Sequence, residues 1–341
     1  MKKGGLIGCG FFAQNHLHAW RDIDGAEIVA ICDRDPERLS ATASAFGIAR
    51  TYGDARAMLE AEELDFVDIA TTVATHRPLV ELAAAHGRRH IICQKPFAEN
   101  LEDGAAMVAA CREAGVHLMV HENFRWQSAI RAVKERLDAG MIGRPFWGRC
   151  SFRSAFDVYA AQPYLAEDER FIIQDLGIHI LDVARFLFGD VETLSARTWR
   201  VNPGIRGEDV ATMLMGHTGG ITSVVDCSYA TILPQENFPQ TMLEIDGDKG
   251  TLRLSLDYAL TIATREGSET IDVSPPLLPW AERPWHNIQE SVFNIERHFI
   301  DCLARNIDAE TSGDDNLRTL ALVYAAYDSA ADNGRLIKRG G

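Results

Sequence analysis

Three residues of this sequence have the type and setting for proton and hydride chemistry. Lys95 follows the apolar run His90–Cys93 and precedes Pro96, in Ile92-Cys93-Gln94-Lys95-Pro96. At the C-terminal end of a buried strand, a lysine can hydrogen-bond a substrate oxygen or lower its proton affinity as hydride leaves the carbon. Without that setting it reads as a solvated surface group. Pro96 fixes the backbone direction just after it. The other two lie in Asp175-Leu176-Gly177-Ile178-His179-Ile180-Leu181-Asp182. If Asp175 opens a helix, Asp175 and His179 stand at i and i+4 on one face, with Asp182 on the same flank. The plain alternative is a capping aspartate and a satisfied core histidine. The rest of the helix is apolar (Leu176, Ile178, Ile180, Leu181, Val183, Phe186), which favours a carboxylate and an imidazole aimed at a ligand. Imidazole, with an ordinary pKa of about 6.5, suits proton transfer near neutral pH.

Other chemistries fit less well. Asp and His are metal-ligand types, but no cysteine cluster completes a site and hydride transfer with a lysine needs no metal, so no metal is expected. Ser–His–Asp hydrolysis lacks a G-x-S-x-G elbow. His217, His286 and His298 have no partner identifiable from sequence.

Those residues need a scaffold, and its start is Gly5-Leu6-Ile7-Gly8-Cys9-Gly10-Phe11-Phe12-Ala13. Leu6 and Ile7 end a short apolar strand, and a helical pattern runs from about Phe12 to Asp22. A strand, a Gly-rich turn and a helix let backbone N–H groups and the helix dipole face a pyrophosphate. Gly8 permits the turn, Gly10 leaves room for phosphates, and Ala13 lets helix and strand pack closely. The G-x-G-x-x-A stretch Gly8, Gly10, Phe11, Phe12, Ala13 is thus the candidate cofactor cradle, although the motif alone is weak. Asp33 ends the next β-branched run, Ala26–Cys32, about 20 residues beyond Ala13, where a carboxylate can accept from the adenosine ribose hydroxyls. It would repel a 2′-phosphate and so favours NAD. Arg34 beside it could pair with that phosphate, which leaves NADP open.

The alternation continues through strands at Phe66–Ala70, His90–Cys93 and His117–Val120, with helices at Pro78–His86 and about Leu101–Ala114. This predicts a doubly wound parallel sheet with ligand at the C-terminal strand ends. Thr71, Thr72, Gln94, Lys95, Asn123 and Arg125 lie just past those ends. Beyond Trp126 the pattern becomes α+β. A helix near Ser128–Ala139 precedes seven strands of antiparallel character between Phe146 and Arg265, and helices follow near Asp175–Phe188, Asn287–Arg305 and Asp314–Asp332. The expected division is a Rossmann domain over 1–125 and a second domain over 126–341 with an open, largely antiparallel sheet. Arg153, Tyr164 and the Phe156–Arg170 loop are placed on the substrate pocket.

The chain has 341 residues and a formal net charge of −15, which argues against nucleic acid or anionic membrane as a partner. Seven scattered cysteines without a C-x-x-C read as buried free thiols in a reducing compartment. With no apolar leader ahead of the first strand and no apolar run of about 18 residues, the expected location is the cytoplasm.

Taken together, GLIGCGFFA, Asp33, Lys95-Pro96 and the Asp175/His179 pair resemble the Gfo/Idh/MocA oxidoreductases over nearly the whole chain. The resemblance implies NAD(P)-dependent oxidation of a secondary alcohol or hemiacetal carbon of a sugar or polyol. It also implies a homo-oligomer, dimer or tetramer, formed through the C-terminal sheet. By that resemblance Lys95 matches the lysine of an E-K-P motif, His179 the proton-transfer histidine, and Asp175 the acidic residue that orients substrate. His16 matches a histidine after the Gly-rich turn, Thr71 and His76 a T-x-x-x-x-H segment near the cofactor, and Asn123 an asparagine beside the nicotinamide. The carboxylate of E-K-P is Gln94 here, which leaves no negative charge to hold Lys95 protonated; Lys95 is therefore expected to share proton transfer with His179. Gln94-Lys95-Pro96-Phe97 together with His121–Gln127 resembles a subgroup acting on branched aldoses, D-apiose dehydrogenases among them. The rival readings are a non-catalytic dinucleotide-binding sensor on the same fold and an NAD-dependent glycoside-cleaving enzyme.

Overall fold

The computed structural model describes residues 1–338 and resolves into two compact units. The first consists of Met1–Asn123 and Val292–Leu320, the second of Phe124–Ser291 and the chain from Ala321 onward.

In the first unit, strands β1 (Lys2–Ile7), β2 (Ala26–Cys32), β3 (Arg50–Tyr52), β4 (Phe66–Ile69), β5 (His90–Gln94) and β6 (His117–His121) form one sheet ordered β3-β2-β1-β4-β5-β6. Every pairing is parallel. This is the doubly wound order, in which ligand sits beyond the strand ends where the order reverses, between β1 and β4. Helices α1 (Ala13–Asp22), α2 (Pro36–Phe46), α3 (Ala55–Ala61), α4 (His76–Ala85) and α5 (Leu101–Ala114) alternate with the strands. β4 and β5 are buried along their whole length, as parallel strands covered on both faces must be. The side chains of Asp35 and Asn100 cap α2 and α5. The short β3 and α3 were not legible in the sequence; three residues are too few to display a period. α4 begins two residues earlier than expected and so includes His76.

The second unit opens with α6 (Ser128–Asp138) and β7 (Pro145–Arg153). Then come α7 (Ile178–Phe188), β8 (Val191–Trp199), β9 (Val210–His217), β10 (Thr222–Ser228), β11 (Met242–Gly247), β12 (Gly250–Leu254), β13 (Ala259–Thr264) and β14 (Gly267–Asp272). With β15 (Ile337–Lys338) they make a nine-stranded sheet ordered β14-β13-β12-β11-β7-β10-β9-β8-β15. It is antiparallel except where β7 runs parallel to β10. A Cβ on Gly148 would lie 2.3 Å from the Phe188 ring, so this glycine lets α7 rest on the sheet. Strand alternation then puts Cys150 and Phe152 on the α7 face and Arg149, Ser151 and Arg153 on the other.

Helices α8 (His286–Arg305) and α9 (Gly313–Ala331) close the chain. Val292, Ile295, Phe299 and Leu303 make a buried stripe at helical spacing along α8. Phe299 meets the rings of Trp20 and Phe66 at 6.2 and 5.5 Å. That stripe explains why 292–320 joins the parallel-sheet unit, whereas a single boundary near 125 would leave it in the second domain. No helix among the described residues is long and apolar enough to cross a membrane.

Candidate active site

The Gly-rich turn has the shape its residues require. Gly8 has φ +102°, and a Cβ there would lie 2.4 Å from the Ala70 carbonyl oxygen. Only glycine fits. A Cβ on Gly10 would meet nothing within 4 Å, so the space above that backbone is open, as a pyrophosphate needs. α1 starts with no side-chain cap, which leaves its first N–H groups available to an anion, and Ala13 is buried at the turn's end. Asp33 Oδ2 accepts the Cys9 N–H at 2.7 Å and Oδ1 accepts the Asp35 N–H at 2.8 Å. Each oxygen keeps a lone pair for a ribose hydroxyl. Burial and Asp33 push the Cys9 thiol up to about 11, so it stays a neutral filler. Phe11 and Arg34 lie on the surface. These residues fit a dinucleotide.

At the ends of β4 and β5, His76 is wholly buried between backbone carbonyls. Its Nδ1 lies 3.0 and 3.2 Å from the Pro96 and Phe97 oxygens, and its Nε2 lies 3.1 Å from the Thr71 oxygen. Burial holds its pKa below the usual imidazole value. His76 thus lies between the Lys95–Phe97 segment and the end of β4 instead of facing open space, and a neutral ring donates its single N–H to one side only. Thr75 Oγ1 donates to Thr71 Oγ1 at 2.8 Å, and Thr72 is exposed. Gln94 Oε1 accepts the Lys95 N–H at 2.6 Å, and Asn123 is buried just past β6.

Behind this row His16 belongs to a fully buried cluster whose other members, Asp68, His121 and Glu296, have no site role in the sequence analysis. His16 Nδ1 is 2.8 Å from Asp68 Oδ2 and 3.3 Å from Glu296 Oε1, and its ring stacks on His121 at 4.1 Å. Burial, reinforced by Asp68, pushes the Glu296 carboxyl far above the carboxylate range. A signal was present: Asp68 is a carboxylate in the middle of the apolar run Phe66–Ala70. His16, His121 and Glu296 are metal-ligand types within 4.8 Å of one another. Their chemistry does not suit an ion, because the two imidazole planes are stacked and both His16 nitrogens already face Asp68 and Gln94.

In the second unit, the stretch expected as one helix from Asp175 divides in two. Ile173–Gly177 is a π-helical turn, and α7 begins at Ile178. Asp175 lies within the π turn and His179 in the first turn of α7, and such turns concentrate at functional sites. Side chains from far along the chain fix it. Glu208 Oε1 accepts the Ile173 N–H at 3.3 Å and the Tyr327 hydroxyl at 2.8 Å, while Tyr327 Oη accepts the Gln174 N–H at 3.2 Å. His179 is 5% exposed and lies face to face with Phe124, centroids 4.0 Å apart. Asp182 does not share its task. It is buried in a two-pronged ion pair with Arg125, whose Nε donates at 2.6 Å, an arrangement whose loss from one side alone costs about 3–5 kcal/mol.

Two other predicted residues have different surroundings. Arg153 lies on the sheet face opposite α7, with Nη1 donating to Asp226 Oδ1 at 3.1 Å. Tyr164 is in the field of Asp175: desolvation, Asp175 and Asp168 push its phenol up to about 12. Tyr229, unnoticed in the sequence, is also near Asp175; burial first and then that carboxylate push its phenol far up.

Comparison with known proteins adds the following. Residues 2–122 match the oxidoreductase family with an NAD-binding Rossmann fold, and residues 130–253 match the GFO/IDH/MocA C-terminal domain. A D-apiose dehydrogenase of Paraburkholderia graminis is 65% identical over 98% of this chain and 89% of its own length. A D-apiose dehydrogenase of Rhizobium rhizogenes is 61% identical over 99% and 97%. The crystal structure of an oxidoreductase from Agrobacterium radiobacter, in complex with NAD+, L-tartaric acid and magnesium, superposes with a TM-score of 0.97 at 60% identity, covering 99% of this chain and 98% of that one.

Proposed function

The chain belongs to the GFO/IDH/MocA oxidoreductase family as an NAD-dependent sugar dehydrogenase, and from that premise we propose that its substrate is a branched aldose of the D-apiose type. The observation that carries this reading is identity above 60%, over nearly the full length, with two enzymes of that activity. Bound NAD supplies the acceptor for the hydride leaving the substrate carbon. The chain's own residues do the rest. Gly8, Gly10 and the start of α1 seat the pyrophosphate, with Phe11, Phe12 and Ala13 shaping the turn, and Asp33 takes the ribose hydroxyls. Thr71, Thr72 and Asn123 line the cofactor end of the sheet. Lys95 donates to a hydroxyl oxygen of the substrate and stabilises the charge that develops on it as the carbon bearing it is oxidised. His179 acts as the base for a substrate hydroxyl; Phe124 stacked on its ring fixes the plane of the imidazole. Asp175 accepts from a neighbouring hydroxyl, with Tyr164 and Tyr229 nearby. Arg153, tied to Asp226, contributes to the sheet's outer face.

That outer face would carry the contacts of a dimer or tetramer, with Trp199 70% and Leu214 50% exposed in the single chain. All seven cysteines are free and buried, as suits the reducing cytoplasm.

The test is absorbance at the NADH band with NAD and NADP separately, against D-apiose, unbranched aldoses, ketoses and polyols. D-apiose with NAD should give the highest kcat/KM. Equal turnover of an unbranched aldose would overturn the substrate, and release of an aglycone without net NADH would replace the reaction class.

A further inference from the structure

We propose that Gln94 is a positioning residue, which sets the Lys95 peptide by locking His16 as a neutral ring protonated at Nδ1. The inference rests on the catalytic role given to Lys95 above, but its own evidence is a chain of hydrogen bonds behind that residue. Gln94 Oε1 accepts the Lys95 backbone N–H at 2.6 Å. A backbone N–H can only donate, so this contact fixes which end of the amide is oxygen. The amide nitrogen therefore faces His16 Nε2, at 3.2 Å. That nitrogen only donates, so His16 Nε2 must accept and the ring's single proton sits on Nδ1. There it donates to Asp68 Oδ2 at 2.8 Å, the oxygen that also takes the Trp20 Nε1–H at 2.8 Å. Every proton from Asp68 to the Lys95 peptide then has one position.

The charges around the ring agree. His16 faces Asp68 from β4, Glu296 from α8, His121 from β6 and Gln94 from β5. Burial, reinforced by Asp68, pushes the Glu296 carboxyl far up and so favours its neutral form beside the ring. An ionised glutamate in place of Gln94 could still accept the Lys95 N–H but, unlike the amide, could not donate to His16 Nε2. It would also add a second buried carboxylate, and the cheapest relief is a second proton on the ring. The amide alone both holds the Lys95 peptide and leaves His16 neutral. With His76 against the Pro96 and Phe97 carbonyls, the lysine's backbone is flanked on both sides.

The decisive experiment is a two-bond 1H–15N correlation of the histidine rings in full-length protein with NAD, at about pH 7.5. His16 is assigned by the loss of its signals in His16→Gln. Wild-type His16 should show one proton, on Nδ1, and Gln94→Glu should convert it to the doubly protonated pattern. The Trp20 indole N–H, bonded to the same Asp68 oxygen, is a second reporter and should shift in Gln94→Glu; it serves if His16→Gln does not fold. In Gln94→Ala, kcat should fall roughly ten- to a hundredfold, as a small misplacement of a catalytic group does, with the NAD Kd within about twofold. A wild-type ring protonated at Nε2 or doubly protonated overturns the proposal, as does a Gln94→Glu protein in which neither reporter moves. Lys95→Ala separates the two readings: full turnover there would remove the role of Lys95 while leaving the His16 pattern intact.

Discussion

The Gly8–Ala13 turn and the Ile173–Gly177 turn each lead into a helix that the proposed function uses, and they are held by opposite means. The first is fixed by what is missing. Gly8 has no Cβ to strike Ala70, Gly10 leaves open space, and the nearest support is the Asp33 carboxylate on the Cys9 N–H. The second is fixed by what reaches in from a distance, Glu208 from the loop before β9 and Tyr327 from α9. A turn held by its own small residues announces itself in a short motif. A turn held by side chains 35 and 153 positions away cannot.

The largest effect tests whether both units carry chemistry. Lys95→Ala and His179→Ala should each lower kcat by about 10²–10⁴, which is roughly 3–5 kcal/mol of transition-state stabilisation. Both should bind NADH as wild type does in a fluorescence titration. Near-normal turnover in either variant would confine the chemistry to the other unit and end the comparison.

The next effect separates the two glycines of the first turn. Gly8→Ala places a Cβ against a carbonyl at positive φ, and should cost more than about 1 kcal/mol of stability in denaturant titration. Gly10→Ala meets no atom within 4 Å, so its stability should be unchanged while NAD affinity falls about tenfold, or about 1.4 kcal/mol. Equal loss of stability in both would mean that Gly10, too, is a folding residue.

For the second turn, Tyr327→Phe removes the hydroxyl that accepts from Gln174 and donates to Glu208. The net worth of such bonds is about 0.5–1.5 kcal/mol. It should appear as a several-fold rise in KM for the sugar, with the NAD Kd unmoved, because only Asp175 is displaced. A change in NAD affinity instead would contradict the assignment of this turn to substrate.

The same contrast explains which parts of the molecule the sequence disclosed. The parallel sheet and most of its helices were legible, and so were the strand ends at which Gly8, Asp33 and Lys95 stand, because alternating strands and helices fix where those ends must lie. The π-turn was not, since helical pitch at Asp175 depends on Glu208 and Tyr327 rather than on neighbours in the chain. Nor was the fate of Asp182, which looked like a companion of His179 until Arg125 was seen to claim it. Arg153 directly follows Phe152, and the two-fold alternation of the strand puts it on the face opposite α7, which sequence order alone does not show. The His16–Asp68–Gln94 chain joins residues from three elements whose spacings carry no period.

The smallest effect concerns how the loops of the second unit respond to acid. Glu236 binds two segments together: its Oε1 takes the Ser154 hydroxyl and the Asn237 and Phe238 N–H groups, and its Oε2 takes the Ala155 N–H. Burial alone would raise its pKa, but the bonds from Ser154, Phe238, Ala155 and Asn237 outweigh it and hold the carboxyl below 4.5. A carboxyl depressed on folding adds stability above its unfolded value that is lost as pH falls through the folded value. The side chain is largely exposed, so after solvent screening the contribution is under about 1 kcal/mol. Glu236→Gln should therefore be slightly less stable than wild type at neutral pH, and the gap should close below about pH 4.5. The Gly8–Ala13 turn rests on backbone geometry and has no equivalent among its own residues. Hydrogen exchange at the two turns should reflect this, with acid loosening the 154–156 and 236–238 segments ahead of Gly8–Ala13. Simultaneous loosening of both would show that a charge, not the missing Cβ atoms, also holds the first turn, and the Asp33 carboxylate on the Cys9 N–H would be that charge.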